Sequence, residues 1–143
     1  MIDLVAFEVL GLPGSQGSKT KMPNGAMVEG GSKTGRERTK AWRTAVAQTA
    51  RDVAGGEPYD GALHLTIEFR LPMPASRRKA IRELGRWPHS VKPDIDKLTR
   101  ATLDGLTAGG LIVDDARVFA LAVEAYEVTG WTGAEIVLRR FEA

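Results

Sequence analysis

The chain has 143 residues, 43% hydrophobic and 27% charged, enough to bury a core and too apolar for a wholly disordered chain. It has no cysteine, which excludes a disulfide scaffold, a thiol nucleophile, a thiolate zinc site and an iron–sulfur cluster. The net charge is only +2, but charge is unevenly spread. Residues 1–51 carry eight Lys/Arg against four Asp/Glu, and residues 52–69 carry four acids and no base. Residues 70–100 then carry nine bases against three acids, and residues 101–143 carry three against seven. Two basic blocks of this kind attract a polyanion through a Coulomb term that ignores its sequence. The alternative is that Arg77-Arg78-Lys79 and its neighbours are a solvated helix face. No apolar run reaches the ~20 residues that span a bilayer. Met1-Ile2-Asp3-Leu4-Val5 has no basic n-region, so no signal peptide is expected, and the chain reads as soluble and intracellular.

Residues 2–10 are apolar with acids at 3 and 8 and predict a strand. Gly11 to Gly35 holds seven glycines and little apolar periodicity, a long loop of the kind that is usually functional. Trp42, Val46, Thr49, Ala50 and Val53 recur at helical spacing, predicting a helix over 37–53 stopped by Gly55-Gly56 and Pro58. Leu63, Leu65, Ile67, Phe69 and Leu71 alternate along a half-buried strand over 62–71. Residues 75–85 can form a short basic helix with only Ile81 and Leu84 as core contacts, and 88–93 reads as extended. A second helix starts at Asp94, with Ile95, Leu98, Thr102, Leu103 and Leu106 on one face and Gly109-Gly110 at its end. Leu111-Ile112-Val113 reads as a short strand, and 117–128 and 134–141 as two more, joined by a turn over 129–133. The pattern predicts one α+β domain over residues 1–143, with two main helices on a mixed, mostly antiparallel sheet.

Gly14-Ser15-Gln16-Gly17-Ser18-Lys19-Thr20 superficially suggests a phosphate loop. The Walker pattern needs Gly immediately before the Lys and five residues earlier, where Ser18 and Pro13 stand, so no nucleotide cofactor is expected. His64 and His89 are the only imidazoles, in different environments, and do not form a zinc or nucleophile set.

The informative stretch is Lys92-Pro93-Asp94-Ile95-Asp96-Lys97-Leu98. In mid-helix, side chains at i and i+2 diverge. At a helix start Asp94 is a natural N-cap and Asp96 lies in the first turn, so their carboxylates can converge. A second acidic pair, Asp114-Asp115, follows the apolar triplet. Adjacent strand residues face opposite sides, so only one of that pair is expected to join the first. Three aspartates from two elements suit the oxygen ligation of Mg²⁺, which can activate water and offset charge on a phosphodiester. The bland readings are a capping Asp94, a surface ion-pair stripe of Asp96, Arg100 and Asp104, and a turn at Asp114-Asp115.

Residues 92–118 resemble the RusA family of Holliday junction resolvases. The resemblance rests on Asp94-Ile95-Asp96-Lys97-Leu98, Asp104-Gly105-Leu106, Gly109-Gly110 and Leu111-Ile112-Val113-Asp114-Asp115-Ala116-Arg117-Val118. It extends more loosely through the first strand, the Gly/Ser/Lys loop and the helix near Lys40-Ala41-Trp42-Arg43. The resemblance implies a homodimeric, Mg²⁺- or Mn²⁺-dependent endonuclease of bacterial or phage origin that acts in the cytoplasm. It would cut branched DNA at four-way junctions by metal-activated water attack. Asp94, Asp96 and Asp115 would bind metal. Arg100 stands where the family has Lys, and Lys97 where it has Asn; Arg keeps the charge but cannot act as a general acid at ordinary pH. Expected DNA contacts are Lys19, Lys21, Lys33, Arg36, Arg38 and Lys40 from the first basic block, and Arg77, Arg78, Lys79, Arg82, Lys92 and Lys97 from the second. Phe119, Leu121, Val123 and Trp131 are the expected dimer contacts. The alternatives are a branched-DNA-binding module that does not cut and, third, a small-nucleotide phosphohydrolase.

Overall fold

The computed structural model describes residues 1–15, 19–21, 27–29 and 33–143. Its strands are β1 (Ile2–Leu10), β2 (Lys19–Lys21), β3 (Met27–Glu29), β4 (Leu63–Pro72), β5 (Arg86–Pro88), β6 (Val118–Val128) and β7 (Gly133–Arg140). Its helices are α1 (Lys33–Val53), α2 (Lys79–Leu84) and α3 (Ile95–Ala108), with a 3₁₀ turn at Asp115–Arg117. Five strands form one sheet in the order β1-β7-β4-β6-β5, while β2 and β3 pair separately. Among the strands of the described residues only β4 and β6 run parallel. A parallel pair needs a long crossover, and the stretch holding α2, β5 and α3 supplies it.

The alternation in β4 works as the pattern requires: Leu63, Leu65, Ile67, Phe69 and Leu71 are buried and the residues between them half-buried. That face, with Ile136 and Leu138 of β7, is covered by α1 and α3 in one hydrophobic core. Trp42 of α1 lies 6.5 Å from the Phe69 ring. Its Nε1 donates to Thr102 Oγ1 of α3 at 3.1 Å, which satisfies the one polar atom of a buried indole. The two helices cross where α3 has no side chain. A Cβ on Gly105 would lie 2.7 Å from Val46 Cβ. Gly105→Ala should therefore force the helices apart and cost about 1–3 kcal/mol, read as a lower urea midpoint at unchanged slope. A wild-type midpoint would mean that the crossing is not tight.

Several sequence expectations are corrected. α1 begins at Lys33, not at residue 37. Thr39 Oγ1 bridges Gly35 O and Ser15 O, a tertiary anchor that periodicity does not register. Part of the Gly11–Gly35 segment forms the β2/β3 pair, and Gln16, Gly17 and Ser18 of the Gly14–Thr20 stretch lie outside the described residues. Leu111-Ile112-Val113 is not a strand; Leu111 and Ile112 are buried in a connection whose only sheet-like contact is one bridge between Ile112 and Tyr59. Three apolar residues in a row mark burial, not extended pairing. In the basic segment only Lys79–Leu84 is helical, and Leu84 is exposed. What holds the segment is Arg77, whose guanidinium donates to both oxygens of the buried Glu127 carboxylate.

The four expected dimer contacts do not share a face. Leu63 pairs with Val118 but His64 with Ala120, so β6 carries one extra residue there. Such a bulge re-aims side chains. Phe119 packs on His64 and Phe141, on the side away from the helices, and Trp131 stacks on Arg70. Leu121 and Val123 instead stand opposite Leu65 and Ile67, on the side of α3.

Candidate active site

The start of α3 and the turn after it carry the acids. Asp94 occupies the N-cap position with extended backbone, yet its side chain makes no capping hydrogen bond. Its carboxylate is thus not consumed by the helix end and lies 3.8 Å from Lys97 Nζ. The preceding Lys92–Pro93 peptide is cis. His89 brackets this loop: its backbone N–H donates to Ala125 O of β6, and its Nε2 lies 3.1 Å from Pro93 O.

At the other end, α3 closes through a glycine turn. Gly110, at φ +75°, donates to Thr107 O, and Leu111 N–H donates back to Leu106 O. This paired pattern reverses the chain, and glycine meets the positive φ without strain. The reversal returns residues 114–117 to the flank of α3. There the two adjacent acids divide. Asp114 accepts from Ala116 N–H at 2.9 Å and caps the 3₁₀ turn. Asp115 accepts from Thr107 Oγ1 at 2.5 Å and faces the helix. Arg117 ties the same turn to Asp60 at 2.6 Å. The Gly61 N–H, helped by Arg117, holds the exposed Asp60 carboxyl below the usual carboxylate range.

Asp96 and Asp115 line one open pocket of about 570 Å³, together with Arg100, Thr99, Ile95, Leu103, Leu121 and Val123. The helix face predicted from sequence is corrected here. Ile95 is 44% exposed and walls this pocket instead of joining the core, whereas Leu103 lines the pocket and also packs against the core as expected. Among the described residues nothing pairs the Asp96 carboxylate or the Arg100 guanidinium, so the surface ion-pair stripe does not account for them. Asp94 stands outside this pocket and lines two adjoining hollows. Among the described residues no three carboxylates or imidazoles are close enough together to enclose a metal. Mg²⁺ does not require a closed cage: one or two carboxylates with water and substrate phosphate are its usual set. The Asp96–Asp115 pair fits that donor chemistry.

The bases fall into three groups. Lys33, Arg36, Arg38 and Lys40 lie exposed on the first turns of α1, and Lys19 and Lys21 belong to β2. Lys92 and Lys97 flank the acids and share a hollow with Arg38. Arg78, Lys79 and Arg82 are exposed on the basic segment, Arg82 donating to Pro74 O and Lys79 lying 3.8 Å from Glu83, whereas Arg77 is committed to Glu127. Sequence reasoning missed Thr107 and His89 as supports of the site. The double glycine after α3 was the available signal that the next residues fold back onto the last turn.

The open pocket thus gathers two carboxylates and a guanidinium beside exposed bases on an α+β scaffold. Residues 19–139 match the model of the family Endodeoxyribonuclease RusA, and the chain belongs to that family, a family of nucleases. No curated protein matches the chain closely. Among the described residues no helix is long and apolar enough to cross a membrane.

Proposed function

We propose that the chain is a divalent-metal-dependent endonuclease that resolves four-way DNA junctions. The observation that supports this reading is the convergence of Asp96, Asp115 and Arg100 on one open pocket in a chain of this family. Asp96 and Asp115 are the residues that would hold Mg²⁺ or Mn²⁺, with Asp94 beside them. When bound, the ion supplies a water nucleophile at neutral pH and offsets charge on the phosphate. Thr107 orients Asp115 by hydrogen bonding one oxygen, leaving the other free. Arg100 steadies the negative charge on the scissile phosphate. Lys97 opens on the neighbouring hollow, so the leaving oxygen takes its proton from water. A junction presents two strands of like polarity, related by a two-fold axis. One pocket reaches one of them, and a two-fold homodimer supplies the second.

The test is incubation of the full chain with a labelled four-way junction and a matching linear duplex, with Mg²⁺ and with EDTA. Cutting of the junction alone, and only with metal, is expected. Binding without cutting would make the chain a branched-DNA-binding protein. Hydrolysis of free nucleotides without DNA cleavage would make it a small-nucleotide phosphohydrolase.

A further inference from the structure

Three hollows lie in a row along the start of α3. The first is lined by Ser15, Arg38, Lys92, Pro93, Asp94 and Lys97, and has a volume of about 330 Å³. The second runs from His89 to Asp96 and shares Lys92, Pro93 and Asp94 with the first. The third is the Asp96–Asp115 pocket, which shares Ile95 and Asp96 with the second. Shared lining residues place them side by side.

The first hollow is assembled from three distant parts of the chain. Gly14 lies against α1 so closely that a Cβ there would be 2.8 Å from Arg38 O. Next to it, Ser15 O accepts from Thr39 Oγ1 at 2.6 Å. These contacts hold Ser15 beside Arg38 of α1, opposite Lys92 and Lys97 at the start of α3. Three cations thus face one another across a small space, with Asp94 the single acid. Among the described residues neither the Arg38 guanidinium nor the Lys92 ammonium has a partner. Asp94, 3.8 Å from Lys97 Nζ, answers one of the three cations, so Arg38 and Lys92 leave the hollow with an excess of positive charge that attracts an anion.

We propose that this hollow is a phosphate subsite. It grips a backbone phosphate of the strand being cut, on one side of the scissile bond, and so sets the direction in which the strand lies across Asp96 and Asp115. The strand assignment rests on the nuclease reading above; the anion site does not. Arg38 is a positioning residue on this account, since it touches the substrate backbone away from the reacting atoms.

The experiment uses junctions carrying one neutral methylphosphonate at a time on either side of the cut. With the wild-type chain, a position on one side only should slow cleavage about tenfold, the loss of a charge-assisted contact. In Arg38→Ala that penalty should disappear, and Arg38→Lys should restore part of it. Arg38→Ala together with Lys97→Ala should also flatten the log–log salt dependence of binding by about two units. Arg38 is exposed, and an unchanged thermal midpoint would show its variants to be folded. Titration of the ¹⁵N-labelled chain with inorganic phosphate supplies an independent readout. Shifts at Ser15 and Lys97 amides in a chain that cuts no DNA would support the anion site while removing the nuclease reading. Unchanged salt slope and a persisting methylphosphonate penalty in folded, DNA-cutting Arg38→Ala and Arg38→Ala/Lys97→Ala would overturn it.

Discussion

Asp96→Asn is expected to abolish junction cleavage, by about three orders of magnitude or more, while leaving the fold and junction binding nearly intact. A loss of that size is about 4 kcal/mol of transition-state stabilisation, in the range a catalytic metal contributes. The amide is isosteric, and Asp96 is exposed with no partner among the described residues, so nothing structural depends on its charge. Removing a negative charge also relieves repulsion against DNA phosphate, so affinity should hold or rise. Thr107→Val should lie between this variant and wild type, losing about 10–100-fold, because it leaves Asp115 present but unoriented. The measurement is single-turnover cleavage of a labelled junction, with binding read separately in EDTA. Full activity in Asp96→Asn would sink the assignment of the pocket.

The second large effect is on salt dependence, and the structure divides the basic segment in two. If the chain neutralises six to ten phosphates, affinity should fall by about 10³–10⁵ between 50 and 200 mM salt. Arg78→Ala with Lys79→Ala should flatten the log–log slope by nearly two units, since each phosphate contact contributes about 0.9. Arg77→Ala should behave differently. Its guanidinium is bound by Glu127, which is 1% exposed. Without Arg77 that carboxylate is buried and unpaired, a state that is strongly destabilising. The expected result is a lowered thermal midpoint at unchanged salt slope. An unchanged slope in the Arg78/Lys79 variant would make that cluster a solvated face. A slope change in a fully stable Arg77→Ala would mean that Arg77 meets DNA after all.

These expectations depend on distinctions that the sequence carries unequally. The strand β4 and the helix α3 were legible because burial on one face imposes a period: two along Leu63 to Leu71, and helical along Leu98, Thr102 and Leu106. The end of α3 was legible because Gly109-Gly110 allows the positive φ that a closing turn requires. Asp94, Asp96 and Asp114-Asp115 were legible as candidates because acids in a basic chain, at a helix start and after an apolar run, need a reason to be there. The apolar triplet was misread because a buried connection and a short buried strand have the same composition.

What the sequence by itself determined was the set of elements, the two helix ends that carry the acids, and membership of a nuclease family. Only the tertiary structure decided between neighbours. It turned Asp114 to cap a 3₁₀ turn and Asp115 toward Thr107, and it left Asp94 outside the pocket that Asp96 enters. It withdrew Arg77 from the basic surface by burying Glu127 opposite it, and brought Arg38 to Lys92 and Lys97 across more than fifty residues. It also split Phe119 from Leu121 through one extra residue in β6. The physical reason is common to all of these. Periodicity reports which way a side chain faces within its own element, whereas a partner from another element depends on register, bulges and turns, which hydrogen bonds between distant residues set.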